Sequence, residues 1–445
     1  MLIPLNNSTP CDIPSVTIGE ASFPQPFAGT LEYNAPIRGT WNIVHVGMLV
    51  PESHQVYVCA AGCLRGVIQT AAEMCAMDRM SWVAVNEEDM FNGQLEENII
   101  TGTEEILARL PKPPRAILLF ISCIHQFAGC DMQRVIHELT QRHSETAFVD
   151  CYMTPTMRKS GLTPDQLTRR QIYALLPKTA PGPKTVSIIG NDRPTSPESE
   201  LLKLFAQAGW QVRDITLCHS YDEFLATADS SLYVTTFLPA KAAAEALALR
   251  TQRPHLHLPL SYTRTEITAQ LTQLSTHLGI MPNSYDAEWN ECSDALSQLR
   301  EELGARPIAI DYTATPRPLG LARLLVEHHF NVACVYADAF SPEERDDFAA
   351  LKVIAPQLLL RPTVHPAMLY AHANTPNPQI LAIGQKAAWF SNTPHFVNIV
   401  SGGGMWGFAG IKQLVTLMRE VANTARDTDK IIQHKGIGCT SCLMM

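Results

Sequence analysis

The chain has 445 residues, with 46% hydrophobic and 17% charged residues, and about two to four ordinary globular domains are expected from that length. Lys and Arg number 34 against 43 Asp and Glu, a net charge of −9, which disfavours a nucleic-acid partner because phosphate backbones bind clustered positive charge. No apolar run reaches the roughly 18–20 residues that span a membrane, and the N-terminus lacks a signal-peptide pattern, so we expect a cytoplasmic protein that does not bind membranes.

Residues 1–180 contain apolar segments typical of buried strands, separated by helical patterns. The strand patterns are QVYVCAAG, MSWVAVNE, AILLFISC and TAFVDCY. The helical patterns are LRGVIQTAAEM, TGTEEILARL and MQRVIHELTQRH. Strands that alternate with helices predict βαβ units and a parallel sheet.

The same alternation continues through the rest of the chain. Strand patterns such as TVSIIGND and SLYVTTF precede the Gly-containing segment ELGARP, and PIAIDYT, VACVYAD and QILAIG follow it. A first Pro- and Gly-rich linker is LLPKTAPGPK. We therefore predict an α/β protein of three tandem Rossmann-like, doubly wound units, at about 1–180, 181–305 and 306–445, the last with a mobile tail KGIGCTSCLMM.

Cysteine is abundant for a chain without an export signal. A disulfide framework is not expected in the cytoplasm, so the thiols are either buried small side chains or metal ligands. The twelve are Cys11, Cys59, Cys63, Cys75, Cys123, Cys130, Cys151, Cys218, Cys292, Cys334, Cys439 and Cys442.

Two cysteines stand directly at the ends of predicted strands. Cys59 ends QVYVC and Cys123 ends LLFISC, and ligands of open parallel sheets lie outside the carboxyl ends of the strands. A thiolate is the ligand that iron–sulfur clusters use, so Cys63, Cys75 or Cys130, or a partner subunit, could complete the set. The spacings C-x3-C and C-x6-C match no compact iron–sulfur or zinc signature, and buried packing remains the alternative.

Two further motifs are candidates for binding. Gly402, Gly403 and Gly404 lie in SGGGMWG, between a strand and a helix, where amide groups approach an anion or form a tight turn. Gly402, Gly404 and Gly407 have the spacing G-x-G-x-x-G, but no ribose-binding acid can be assigned to it and the chain contains no P-loop, so we expect it to bind no nucleotide. Cys439 and Cys442 form a C-x2-C in the tail, which suggests labile metal binding or a disordered end more than redox catalysis.

The residues in the first unit resemble those of the nitrogenase component 1 family, which includes the subunits of the molybdenum-iron protein, cofactor-assembly proteins and tetrapyrrole reductases. VCAAGCLRGVIQTAAEM is similar to the segment of that family in which a cysteine leads into an Arg-Gly-Val helix. NEEDMFNGQLEENIITGTEEIL and LLFISCIHQFAGCDMQRVI resemble its next two segments, and TAFVDCY its next strand. Three tandem α/β units are also that family's plan.

The resemblance implies a function that the spacing alone does not give. Cys59 and Cys123 would bind a cluster, [4Fe–4S] or [8Fe–7S]-like, at the interface with a related sister subunit or a second copy, as a heterotetramer or homodimer. A separate ATP-dependent iron protein would supply electrons, which pass through the cluster to a buried substrate or cofactor. Cys63, Cys75 and Cys130 would be the candidates for the remaining ligands.

Departures from the family pattern narrow this expectation. The cysteine and histidine that hold the metallocofactor of dinitrogen-reducing α subunits are absent from LPLSYTRTE and NIVSGGGMWGFAG. The resemblance therefore favours a subunit of a nitrogenase-like oxidoreductase that is not such an α subunit. The alternatives are a scaffold for metallocofactor assembly and a metal-free Rossmann-like binding protein.

Overall fold

The computed structural model describes residues 13–29, 32–37, 39–40, 42–154, 161–374 and 379–432. Within these ranges the chain starts with the short strand β1 (Val16–Thr17) and the helix α1 (Ile43–Met48). Cys439 and Cys442 lie outside the described residues. No helix in these ranges is both long and apolar enough to cross a membrane.

The first unit is built on a parallel sheet of four strands, and all four were predicted from the sequence. They are β2 (Ser53–Cys59), β3 (Met80–Ala84), β4 (Ala116–Ile121) and β5 (Ala147–Tyr152), in the spatial order β3-β2-β4-β5. The two central strands are buried along their whole length, which explains why they read as continuous apolar runs. The helices are α2 (Ala61–Glu73), α3 (Glu87–Phe91), α4 (Leu95–Arg109), α5 (Cys123–Phe127), α6 (Met132–Arg142) and α7 (Pro164–Ala174).

The second unit repeats this plan with shorter strands. Its strands are β6 (Thr185–Ile188), β7 (Gln211–Asp214), β8 (Leu232–Thr235) and β9 (His255–His257), in the order β7-β6-β8-β9, all parallel. Its helices are α8 (Glu200–Gln207), α9 (Tyr221–Ala226), α10 (Lys241–Thr251), α11 (Arg264–Leu278) and α12 (Asp286–Leu303). The last two helices were not predicted.

The third unit has a sheet of six strands. They are β10 (Pro307–Asp311), β11 (Asn331–Tyr336), β12 (Leu359–Arg361), β13 (Leu381–Ile383) and β14 (Phe396–Val397), joined by β1 in the order β1-β12-β11-β10-β13-β14. Strand β1 pairs antiparallel with β12, so the N-terminal segment completes the sheet of the last unit. The helices are α13 (Pro318–Glu327), α14 (Arg345–Ile354), α15 (Ala371–Asn374), α16 (Gln385–Ser391) and α17 (Gly407–Asn423).

These sheets confirm the predicted α/β class of three Rossmann-like units. The boundaries near residues 180 and 305 stay predictions, and β1 shows that the segment assigned to the first unit also contributes to the third. Units two and three are packed together: α12 lies against α17, and the buried Cys292 thiol donates a hydrogen bond of 3.1 Å to the Phe408 carbonyl. Arg317 also joins them through bonds of 2.7 and 2.8 Å to Glu266.

In each sheet the strand order reverses: the second strand in the chain is added on one side of the first, and a later strand on its other side. This switch lies between β2 and β4 in the first sheet, β6 and β8 in the second, and β10 and β13 in the third. Loops at the carboxyl ends of such strand pairs diverge and leave a crevice, which is where doubly wound proteins bind ligands. The three crevices are therefore the places to examine for a site.

Candidate functional site

The switch point of the first sheet brings Cys59 and Cys123 to the same edge. The last residue pair between β2 and β4 is Val58 with Ile121. Cys59 comes one residue after Val58, and Cys123 comes two residues after Ile121. Neighbouring strands are ~4.8 Å apart, which keeps the two residues close. Cys59 ends β2 and is fully buried, whereas Cys123 begins α5 and is partly exposed.

A third thiol, that of Cys63, stands in the first turn of α2 above this edge. Burial, with smaller contributions from the neighbouring thiols of Cys63 and Cys123, raises the pKa of Cys59 to about 12. The thiols of Cys63 and Cys123 therefore both lie near that of Cys59, and the three form the thiol group of this edge.

The N-terminus of α2 faces this group without a capping side chain. Its N-cap is Ala60, and its first turn contains no acidic residue. Uncapped amide groups and the helix dipole favour anionic sulfur at this end. The surface around it is open: Cys63 is exposed, and a Cβ added to Gly62 or Gly66 would meet no atom within 4 Å. A bound group or a second chain therefore has room over the thiols.

The structure does not bring Cys75 to this group. Cys75 follows the other end of α2, about 18 Å from Cys63 at 1.5 Å per residue, and is exposed with φ 55°. Cys130 follows α5 and packs against the side of the sheet covered by α4 and α6. Burial and the carboxylate of Glu96 raise the pKa of its thiol, with no contribution from Cys59 or Cys123.

The described residues contain no group of three or more His, Cys, Asp or Glu that is arranged to hold a metal ion. The thiols of Cys59, Cys63 and Cys123 fit the iron of an iron–sulfur cluster, which binds soft thiolate ligands. Their number does not complete the four ligands of a cubane cluster. Of the five cysteines predicted as ligands, three lie together and two lie elsewhere.

A second site is a central cavity of about 230 Å³ formed by the loops at the switch points of the second and third sheets. Asp192 and Phe237 follow β6 and β8, Tyr312 and Thr315 follow β10, and Asp165 reaches it from α7. Among the described residues that line it, none is cysteine or histidine. A cleft that contains Cys63 shares Thr40, Asp165 and Tyr312 with the cavity, so the thiol group and the cavity border one continuous space.

The cavity wall contains a buried ion pair that the sequence did not reveal. Arg169 is 1% exposed, and its guanidinium binds Asp192 Oδ1 and donates a bond of 2.7 Å to the Gly190 carbonyl. Burial raises the pKa of Asp192, and Arg169 opposes that rise. The signal for Asp192 was its place after the strand TVSII, at a carboxyl end. Arg169 gave no signal, since it lies in a polar stretch that reads as solvent-facing.

The loop of Gly402, Gly403 and Gly404 packs as a tight turn. All three have positive φ, and Gly402 and Gly403 donate their amide hydrogens to the carbonyls of Ala314 and Val400, at 2.7 and 2.9 Å. These two amides are therefore not available to an anion. Gly404 lines a small cavity of about 30 Å³ next to the central one, and a Cβ there would come within 2.1 Å of the Pro194 carbonyl oxygen.

The anion at the N-terminus of α17 is a side chain of the protein itself. The carboxylate of Glu200, from α8, accepts a hydrogen bond of 2.9 Å from the Ala409 amide. Gly407 has φ 74°, and a Cβ there would lie 2.2 Å from Glu200 Oε2. The glycine is required because Glu200 occupies the space where its side chain would be.

Comparison with known proteins agrees with this architecture. Residues 44–426 match the pattern of the family described as "Nitrogenase component 1 type Oxidoreductase". The chain belongs to the nitrogenase component 1 family. The match covers most of the chain, including the thiol group and every residue that lines the central cavity except Thr40.

Solved nitrogenase structures have the same fold at low sequence identity. A structure named "Nitrogenase Cp1 at pH 6.5" superposes with a TM-score of 0.65 and 16% identity, over 89% of this chain and 94% of the other. "Nitrogenase Cp1 at pH 5" gives 0.57 and 11%, over 91% and 93%. A comparison with curated protein sequences gives no match.

Proposed function

We propose that this chain is a subunit of a nitrogenase-like oxidoreductase, and that it binds an iron–sulfur cluster through Cys59, Cys63 and Cys123. A sister subunit or a second copy of the chain covers the thiols and supplies the missing ligands. Electrons come from a separate ATP-dependent iron protein, and the substrate is reduced in or beside the central cavity. Family membership supports the class of reaction, and the three neighbouring thiols support the place of the cluster.

The observation that supports the cluster best is the meeting of three thiols at one switch point. Cysteines that serve as small buried side chains have no reason to gather, and Cys292 and Cys334 are examples: each is buried alone in a core. Cys59, Cys63 and Cys123 come from two strand–helix connections of one sheet. Burial and the thiols of Cys63 and Cys123 raise the pKa of Cys59, and a bound metal cation would favour its ionised form instead.

When bound, an iron–sulfur cluster supplies one-electron transfer at a potential that burial and hydrogen bonds to sulfur adjust. Cys59 and Cys123 would hold it from the sheet, and Cys63 from α2. The uncapped amides of α2 would stabilise its negative charge. The buried strand ends beneath it exclude water from one side, so the partner chain must exclude water from the other.

The open surface around Cys63 supports the need for a partner. A cluster with three ligands from this chain would stay exposed to solvent at Cys63, Gly62 and Gly66. A second chain that packs against this face of α2 would bury it and add a ligand. The central cavity differs from this site, because no thiol or imidazole of the described residues lines it. Metallocofactor assembly through side-chain ligands is therefore less well supported than reduction of a substrate.

The test is anaerobic purification of the chain with its partner, followed by iron and sulfide analysis and electron paramagnetic resonance of the reduced sample. Cys59→Ala, Cys63→Ala and Cys123→Ala should each remove most of the iron and the cluster signal. The matched controls Cys75→Ala, Cys130→Ala and Cys334→Ala should retain both. Iron-free protein, or equal loss in all six variants, would contradict the proposal.

A further inference from the structure

Lys386 has a buried ammonium group without a hydrogen-bond partner. The residue lies in the first turn of α16 and is only 5% exposed. Within the described residues, no carboxylate lies within 4.0 Å of its Nζ and no acceptor binds it. Nζ lies 5.7 Å from the centre of the Tyr312 ring, which attracts the charge only weakly at that distance. An ammonium carries three N–H donors and is rarely buried unless they are used, so this group indicates a missing partner.

The two carboxylates that act on this charge from a distance are already bound by other groups. Burial lowers the pKa of Lys386, and the charges of Asp311 and Asp338 only partly oppose that shift. Asp311 accepts hydrogen bonds of 2.7 and 2.6 Å from two backbone amides, and Asp338 accepts bonds of 2.8 and 3.2 Å from two others. Neither carboxylate can turn to the ammonium without losing these bonds, so the missing partner is not one of them.

Lys386 lines the cleft that contains Cys63, which has a volume of about 670 Å³. Sites for small molecules are typically ~300–1,000 Å³ in volume, so this cleft has the size of a ligand site. Among the described residues that line it, only Lys386 and Asp165 are charged. Asp165 lies one helical turn before Arg169 in α7 and helps to stabilise the positive charge of that residue. The ammonium of Lys386 is therefore the charged group in this part of the wall whose donors remain unused.

A second polar group of the same cleft also lacks a partner. Gln69, on α2, lines the cleft, and its Oε1 atom is buried and accepts no hydrogen bond from the described residues. Lys386 belongs to the third unit and Gln69 to the first, so the two groups reach the cleft from different sides. Buried polar atoms in folded proteins nearly always have partners. A donor and an acceptor left over in one cleft indicate a polar ligand or ordered water between them.

We propose that this cleft binds a small organic anion, whose carboxylate or phosphate group accepts hydrogen bonds from Lys386 Nζ and whose remaining part lies beside Gln69 and Cys63. A lysine ammonium is a compact point charge that binds both kinds of anion, so the two form one ligand class here. As the substrate class of the reductase, this inference rests on the proposed function, because Cys63 belongs to the thiol group. As a binding site it stands by itself.

The experiment compares three probes that share a phenyl ring and differ in charge: benzoate, phenyl phosphate and benzamidinium. Their binding to the purified full-length chain is measured by isothermal titration calorimetry without turnover. At least one of the two anions should bind tenfold more tightly than benzamidinium, and the comparison of benzoate with phenyl phosphate tells which anionic group the cleft prefers. Equal or tighter binding of benzamidinium overturns the inference. Binding of none of the probes also overturns it and assigns the cleft to ordered water.

Variants place the bound anion in the cleft. Lys386→Met keeps the length of the side chain and should weaken binding of the preferred anion at least tenfold. The matched control Lys178→Met removes the same charge from an exposed residue outside the cleft lining and should change nothing. Since Lys386→Met alters a buried position, Asn34→Trp provides a second route: Asn34 is exposed and lines the cleft, and the tryptophan should block binding. Unaltered anion binding in Asn34→Trp, or equal binding in the two lysine variants, overturns the assignment.

These results are separable from the fate of the proposed function. A protein that contains iron but binds neither anion retains the cluster and loses this inference. A protein that binds an anion through Lys386 but contains no iron loses the reductase proposal and retains the site.

Discussion

Replacement of Gly407 by alanine tests whether Glu200 is the anion that fixes the start of α17. Two costs add. The residue has φ 74°, and an alanine there costs ~1–2 kcal/mol. Its Cβ would lie 2.2 Å from Glu200 Oε2, so the carboxylate must turn away and lose the 2.9 Å bond from the Ala409 amide, worth ~1.5–3 kcal/mol. We expect a total loss of ~2.5–5 kcal/mol in the free energy of unfolding.

The matched control is Gly209→Ala, which isolates the backbone cost. Gly209 lies two residues past the end of α8 with φ 70°, and a Cβ there would meet no atom within 4 Å, so only ~1–2 kcal/mol should be lost. Urea unfolding is followed by tryptophan fluorescence, since Trp406 is buried beside Gly407 and Trp210 follows Gly209. Combining Gly407→Ala with Glu200→Ala should cost less than the sum of the single changes. Equal losses at the two glycines would refute the reasoning.

Three further predictions concern charge and surface. Burial and the Arg79 charge lower the pKa of His54 to about 4, so its contribution to stability is complete above about pH 6.5 and is lost as pH falls toward 4. His54 is only 4% exposed, so the wild-type protein should lose up to ~3 kcal/mol of unfolding free energy across that pH window relative to His54→Gln. Urea unfolding of both proteins at several pH values measures this difference. Parallel stability curves would contradict it. Gly66→Trp should prevent association with the partner in sedimentation experiments without lowering the stability of the isolated chain. The control Val353→Trp, at an 80%-exposed site, should leave association intact. If the two variants associate equally well, this face of α2 is not the interface. Arg317→Leu should lower the free energy of unfolding by ~3–5 kcal/mol, because among the described residues it leaves the buried Asp347 carboxylate with only a 3.3 Å contact to Arg323. Adding Asp347→Leu should restore part of that loss. A double variant no more stable than Arg317→Leu would contradict a stabilising role of the ion pair.

The features that the sequence predicted well are local. The strands β2 and β4 are runs of β-branched and apolar residues buried on both faces, so their pattern did not depend on distant partners. The meeting of Cys59 and Cys123 at one edge followed from the parallel arrangement alone. Whether they bind a cluster stays a prediction that the metal analysis will decide.

The features that the sequence did not predict depend on residues far apart in the chain. The pattern SGGGMWG left an external anion and a tight turn both open. It gave no sign that Glu200, from another unit, lies at the start of the following helix, a contact that no local spacing encodes. Arg169 looks like a surface residue of a polar helix until Asp192 is placed beside it. Cys63 and Cys75 read alike as ligand candidates, and only the direction of α2 separates them.

The pairing of β1 with β12 has a consequence for the way the chain is made. The ribosome releases the strand Val16–Thr17 first and its partner near Leu360 only after two further units, a delay on the order of tens of seconds at ~5–20 residues per second. During that time the early segment must wait unpaired while the units behind it collapse. The sheet of the last unit therefore reaches its full six strands only after residues 359–360 have been synthesised and have paired with β1.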